Sequence, residues 1–263
     1  MKSFIYFKVL PALNRLIFNP LRLKLVTART PNRNFTEFFA HLRKLSFVPK
    51  TVVDVGVGNG TSSLYSSNPH ADLYLIEAVP DTKGTVRKIA SQLNAKFFNV
   101  AAGASSGEIE FFVHDDTTGS SMYRQLEGAN LDGAVVKVPV KPLDDLLPES
   151  INRPCVLKVD TQGAEIEVIK GASRLLKDVD IAILEVSLHQ FRAGTPEIGA
   201  VIAAMAERGF VIYEILEGHY RSLDNALAQL DVVFVPENSI LRVHKEFFSE
   251  EQAKAYLSRG ALR

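Results

Sequence analysis

Residues 52–61 read Val-Val-Asp-Val-Gly-Val-Gly-Asn-Gly-Thr, a β-branched run carrying one acid and then three glycines at alternate positions. β-Branched side chains suit a strand covered on both faces of a sheet. Gly56, Gly58 and Gly60 omit side chains where the backbone turns hard or meets something closely. Thr61 and the serines after it predict the cap of a following helix. Strand, glycine turn and helix, in that order, is how nucleotide-like ligands are held in doubly wound α/β folds. A plain glycine-rich loop accounts for the turn but not for Asp54 in front of it.

The flanking pattern agrees. Helical spacing from Thr36 predicts a helix over 35–45, and strands follow at 51–55, 71–78 and 95–103. A helix over 81–93, capped by Asp81, separates the last two. Strand-like runs at 108–114 and 135–140 then have no helix between them. They bracket residues 115–134, rich in Gly, Ser, Asp and Asn, and a loop of that length inside a compact domain predicts a lid or a mobile segment. The alternation resumes with a strand at 155–160, a helix at 164–176, a strand at 180–187 and a helix at 196–209. Strands at 210–216 and 230–236 read as a hairpin-like antiparallel edge. The fold expected is α/β, a Rossmann-like seven-stranded, mostly parallel sheet with helices on both faces. A basic arm and helix over 1–50, an α/β domain over 51–243 and a C-terminal helix over 244–263 complete the organisation.

With 263 residues, 46% of them hydrophobic, the chain can bury a substantial core. The single cysteine, Cys155, excludes an internal disulfide and a cysteine-based metal cluster; it reads as a small buried apolar side chain in a reducing, cytoplasmic setting. The zero net charge hides an asymmetry. Residues 1–50 hold ten lysines and arginines against one acid, Glu37, a net of +9, which leaves −9 on the remainder. A basic arm on an acidic body suggests peripheral contact of residues 1–30 with an anionic membrane, or simply a solvated extension. Lys8, Arg15, Arg22 and Arg29 fall seven apart, but Pro11 and Pro20 forbid one straight helix. The apolar stretches near the start fall short of the roughly 20 residues a spanning helix needs, and of a signal peptide. No nucleic-acid partner is expected.

Two ligand classes compete for the glycine turn. A dinucleotide site takes G-x-G-x-x-G, whose third glycine would here be Thr61. Asp54 also opposes a pyrophosphate, whereas a carboxylate is welcome beside an ammonium or sulfonium, and S-adenosylmethionine carries both. Glu77, 21 residues beyond Gly56, suits the ribose of either ligand, since a carboxylate accepts two hydroxyl hydrogen bonds. Asn99 to Ala101 would line the adenine side.

The strings Asp-Val-Gly-Val-Gly-Asn-Gly (54–60), Leu-Ile-Glu-Ala-Val-Pro (75–80), Val-Pro-Val-Lys-Pro-Leu-Asp-Asp-Leu-Leu (138–147) and Leu-Lys-Val-Asp-Thr-Gln-Gly-Ala-Glu (157–165) resemble the FkbM family of S-adenosylmethionine-dependent methyltransferases over residues 50 to 236. The resemblance implies a class I methyltransferase sheet and O-methylation of a sugar, glycolipid or related natural product. Carried over, it implies cofactor contacts from Asp54, Gly56, Gly60 and Glu77, with Gly58, Asn99 and Ala101 beside them. This chain has Gly58 where the family commonly has asparagine, and Ala78 where proline follows the ribose acid.

Ligands of open α/β sheets lie beyond the carboxyl ends of the strands, which nominates Asp160, Ser187 and His189 for catalysis. Asp160 is expected to orient the acceptor hydroxyl, with His189 as proton acceptor, because an imidazole exchanges protons near neutral pH. Asp160 could instead cap the helix after it, and Glu165 could simply favour a helix start. No His or Cys spacing suggests zinc; Asp160 with Glu185 could hold a hard cation, but two carboxylates do not make a site on their own. Alternatives are a catalytically silent module on the same fold that binds a glycan or lipid, a nicotinamide oxidoreductase, and a membrane-associated scaffold. Methyl transfer into a glycolipid extract separates the enzyme from the module and the scaffold, and ligand-induced thermal shift separates the two cofactors.

Overall fold

The computed structural model describes residues 10–13, 16–17, 33–81, 84–114, 119–125 and 133–260. The chain divides into two compact units, 1–32 and 33–263. In the first, residues Leu10–Leu13 form one helical turn, α1; the lysines and arginines spaced seven apart lie outside the described residues.

The second unit is built on a seven-stranded sheet. In chain order its strands are β1 (Thr51–Val55), β2 (Asp72–Glu77), β3 (Lys96–Asn99), β7 (Cys155–Val159), β8 (Val179–Ser187), β9 (Phe210–Tyr220) and β10 (Leu227–Pro236). They stand in the order β3-β2-β1-β7-β8-β10-β9. Neighbours from β3 to β8 pair parallel. The last hairpin inserts β10 antiparallel between β8 and β9, so the expected antiparallel edge holds.

Alternation along each strand divides the core in two. Val53, Leu157, Ala182 and Val232 face one apolar cluster, and Val52, Val156, Ile183 and Val233 face the other. The first face is covered by α5 (Leu143–Leu146), α6 (Glu165–Lys170) and α7 (Ile198–Ala206), the second by α2 (Phe35–Lys44), α3 (Ser62–Ser67) and α4 (Thr85–Leu93). An exposed helix, α8 (Glu250–Gly260), closes the described chain.

Helix α2 begins at Phe35, as expected, but its cap is Asn34 and not Thr36. The Asn34 side chain accepts from the Glu37 backbone N–H, and Glu37 accepts from the Asn34 backbone N–H, a reciprocal cap. Its Phe35, Phe38, Phe39 and Leu42 are buried in the second cluster. At about 1.5–3 kcal/mol per fully buried side chain, that stripe makes α2 part of the body, which begins at Arg33 rather than after residue 50.

The run expected as one strand over 95–103 divides at Val100, whose N–H donates to the Glu77 carbonyl. Residues beyond it form β4 (Ala101–Ala102), which joins β6 (Ala134–Lys141) and β5 (Gly107–Val113) in a separate three-stranded sheet ordered β4-β6-β5. The helix expected over 164–176 stops at Gly171. A Cβ there would lie 2.0 Å from the Gly103 carbonyl oxygen, so only glycine permits the approach, and a short 3-10 turn at Leu175–Lys177 follows. Cys155 is fully buried, as expected, and burial pushes its thiol up to about 12.

Candidate active site

From β1 the chain steps outward to β2 and β3, then returns to lay β7 on the other side of β1. That reversal opens a crevice at the carboxyl ends of β1 and β7. A cavity of about 590 Å³ lies there, within the usual range for a small-molecule site. Gly56 fixes the floor: its N–H donates to Ile76, its φ is +81°, and a Cβ would meet the Asp160 carbonyl oxygen at 1.7 Å. No other residue lets the ends of β1 and β7 approach so closely.

Gly56, Gly58, Gly60, Glu77 and Ala101 line one half of the cavity. Glu77 Oε2 accepts from the Gly58 N–H and Oε1 from the Val79 N–H, each over 2.7 Å, which pins the glycine turn to the end of β2. Burial pushes its carboxyl up despite those two amides. Asn99 is placed differently from the expectation. Its side-chain amide donates to the carbonyls of Glu77 and Val79 while its oxygen accepts from the Asp81 N–H, so it staples the turn after β2 and does not line the cavity. Asp81 in turn caps the first amides of α4 through Val86 and Arg87.

Asp54 also departs from the expectation. It is fully buried and does not line the cavity; Oδ2 accepts from the Thr61 and Tyr65 hydroxyls, and Oδ1 lies 3.8 Å from Lys158 Nζ. It ties the glycine turn and α3 to β1 from beneath. Burial raises its pKa against the pull of Lys158. Thr61, expected to cap α3, spends its hydroxyl on Asp54 instead.

Lys158, Asp160, Glu185 and Asp231 line the other half. Burial disfavours charge on both Lys158 and Asp160, but they stand 2.9 Å apart and hold each other ionised: Lys158 is shifted up and Asp160 down. Gln162, at a left-handed φ of +54°, donates its side-chain amide to Asp160 Oδ1 and Glu185 Oε2. Gln229 reaches the same Glu185 oxygen at 2.9 Å. Burial, then repulsion from Asp160, raises Glu185, so that it is a neutral acid at pH 7; burial raises Asp231 to about 7.

Asp160 does not cap the helix after it. The amides of Thr161 and Gly163 and the Thr161 hydroxyl go to Glu165 Oε1, which holds the loop and leaves Asp160 facing the cavity. His189 lies outside the lining, its ring against Phe191 at 5.7 Å between centroids; the histidine on the wall is His219 of β9. His219, Glu217 and Asp231 also line the cavity without a signal in the motifs above, as does Gln162 inside the 157–165 string. Alternation along the β9–β10 hairpin was the available signal for the first three.

Most of the expected lid, 115–118 and 126–132, lies outside the described residues. Within 119–125, Ser120 and Met122 line the cavity, the Ser121 hydroxyl donates to the Gln162 carbonyl, and Arg192 donates to the Gly119 carbonyl. Among the described residues no helix is long and apolar enough to cross a membrane, and no group of three or more His, Cys, Asp or Glu is placed for a metal ion.

A seven-stranded α/β sheet with its last hairpin reversed, and a glycine turn and a buried acid at its switch point, defines a Rossmann-like protein of class I methyltransferase type. The chain belongs to the FkbM methyltransferase family, whose model, the methyltransferase FkbM domain, matches residues 54–212. It is 28% identical over 138 residues to a hexuronic acid methyltransferase of Haloferax volcanii, a match covering 51% of this chain and 54% of that protein. Among solved structures it is similar to a precorrin-6y C5,15-methyltransferase from Geobacter metallireducens (TM-score 0.40, 17% identity, 80% of this chain and 92% of that one). It is also similar to a magnesium protoporphyrin IX methyltransferase from Synechocystis with bound S-adenosylmethionine (TM-score 0.41, 12% identity, 87% and 95%).

Proposed function

We propose that this protein is an S-adenosylmethionine-dependent O-methyltransferase acting on a hydroxyl of a sugar or glycolipid. The observation that carries the reading is the two-part cavity, a glycine turn with Glu77 on one side and an ion-paired Asp160 on the other. Family membership supports methyl transfer, and the relative named for hexuronic acid supports a sugar acceptor.

The residues present fit the cofactor. Each Glu77 oxygen accepts one backbone amide and keeps a lone pair for a ribose hydroxyl. Val79 and Ala101 offer a small apolar wall for a flat ring. Bound there, S-adenosylmethionine supplies a methyl group on a sulfonium, whose transfer to a hydroxyl oxygen leaves a neutral thioether and one proton.

The chain's own part is orientation and proton handling. Lys158 and Gln162 each occupy one Asp160 oxygen, and the remaining lone pairs accept from the acceptor hydroxyl, aligning its oxygen. His219, at the exposed edge of the cavity, takes the proton and passes it to water. Ser120, Met122 and Phe111 also line the cavity.

Incubating the protein with methyl-labelled cofactor and a glycolipid extract tests the reading. Label is expected in an alkali-stable product, and calorimetry is expected to show binding of the cofactor and its demethylated product but not NAD. Binding without transfer would instead identify a silent module.

A further inference from the structure

The described residues lining the cavity include five acids, Glu77, Asp160, Glu185, Glu217 and Asp231, against one lysine, Lys158, and no arginine. Lys158 is already engaged: its side chain is 5% exposed and lies between Asp160 at 2.9 Å and Asp54 at 3.8 Å. Nearby Arg192 is buried and directs its guanidinium to the Gly119 carbonyl and Gln162 Oε1. An incoming carboxylate, phosphate or sulfate would therefore meet carboxyl groups and no uncommitted lysine or arginine on the described wall. Bringing an anion out of water to that wall is costly when nothing pairs with it.

The same groups suit hydroxyls. A carboxylate accepts from two of them, and a carboxyl kept neutral, as at Glu185, both donates and accepts. The Asp231 carboxyl accepts no hydrogen bond from the described residues, and the Gln162 and Gln229 amides meet Glu185, its cross-strand neighbour.

We infer that the acceptor is an uncharged polyol, a sugar bearing hydroxyls and no acidic group beside the methylated position, and that Glu217 and Asp231 select it by repelling anions while the neutral Glu185 admits hydroxyls. The inference rests on the methyltransferase reading and specifies its acceptor. A uronate or a sugar phosphate is excluded by like charge, a form of selection that works through what the pocket rejects.

The test uses the full chain and a total glycan and glycolipid extract, with no acceptor assumed. After transfer from methyl-labelled cofactor, products are hydrolysed to monosaccharides and passed over an anion exchanger. In parallel, the immobilised protein loaded with demethylated cofactor captures glycans, and the retained fraction is resolved in the same way. The label is expected in neutral, alkali-stable methyl sugars, at least about tenfold above the anionic fraction, as like-charge juxtaposition predicts, with neutral glycans enriched in the retained fraction. Label in acidic sugars, label released by alkali as from a methyl ester, or retention of anionic glycans would overturn the inference while leaving methyl transfer intact. No label with no retained glycan would overturn the methyltransferase reading, and this inference with it.

Discussion

The side-chain amide of Gln162 lies 2.6 Å from Glu185 Oε2, and the same nitrogen lies 3.0 Å from Asp160 Oδ1. One donor thus holds acids from the ends of two adjacent strands. Two carboxylates so placed would repel, and the strain is relieved by keeping a proton on Glu185 while Lys158 keeps Asp160 ionised.

That proton makes stability depend on pH. Glu185 is raised from 4.5 to about 9 and Asp231 from 3.8 to about 7. The folded state therefore holds more protons than the unfolded state between each pair of values. Their stabilising contribution is full below about pH 4 and is lost as pH rises through 7 and then 9. Relative to Glu185→Gln, the wild type should lose stability steadily from pH 6 to 9, at no more than about 1.4 kcal/mol per pH unit. Urea midpoints of both proteins at pH 6, 7.5 and 9 measure it; a constant gap would mean that Glu185 is ionised in the fold.

Lys158→Met should be far more costly than an average buried substitution. It leaves Asp54, fully buried, and Asp160 without their shared cation. Removing one partner of a buried ion pair costs about 3–5 kcal/mol. Adding Asp160→Asn to Lys158→Met should recover part of the loss, because the two sites are coupled. Chemical denaturation of the three variants reads this out, and additive losses would break the proposed pair.

The body of the fold was legible because strand and helix periods are local. Val52–Val53, the 155–159 run and the glycine punctuation each declare themselves within ten residues. Glu77 was legible for the same reason, a fixed spacing after the glycine turn. Which way an acid points was not. Asp54 and Asp160 both end strands, yet the pleat sends one beneath the turn and the other into the cavity. His219 reaches the wall only because β10 inserts between β8 and β9, a long-range pairing that no window of sequence contains. His189 sat at the right strand end, but the chain turns there toward Phe191.

Glu77→Ala should weaken cofactor binding by about 1.5–3 kcal/mol, the scale of hydrogen bonds to a charged group. It also frees the Gly58 and Val79 amides, so Glu77→Gln serves as a companion that keeps the side chain's shape. Calorimetry should rank affinity as wild type, then Gln, then Ala. Equal affinity in all three would remove Glu77 from the ribose site.

The catalytic assignment separates three residues by position. Asp160 and His219 line the cavity, and His189 does not. Asp160→Asn keeps the bonding shape but removes the charge that faces Lys158, and should lower turnover while leaving cofactor affinity within about twofold, since Glu77 is untouched. His219→Ala should lower turnover by about 10²–10⁴-fold if it takes the acceptor proton. His189→Ala should leave turnover per folded molecule unchanged. Rates measured on the labelled glycolipid product, normalised to active protein by cofactor binding, distinguish these outcomes. A full-rate His219→Ala would leave solvent as the proton acceptor and orientation by Asp160 as the chain's main contribution. A slow His189→Ala with an intact fold would return that residue to the site, and would require the segment after β8 to swing toward Asp160 when the acceptor binds.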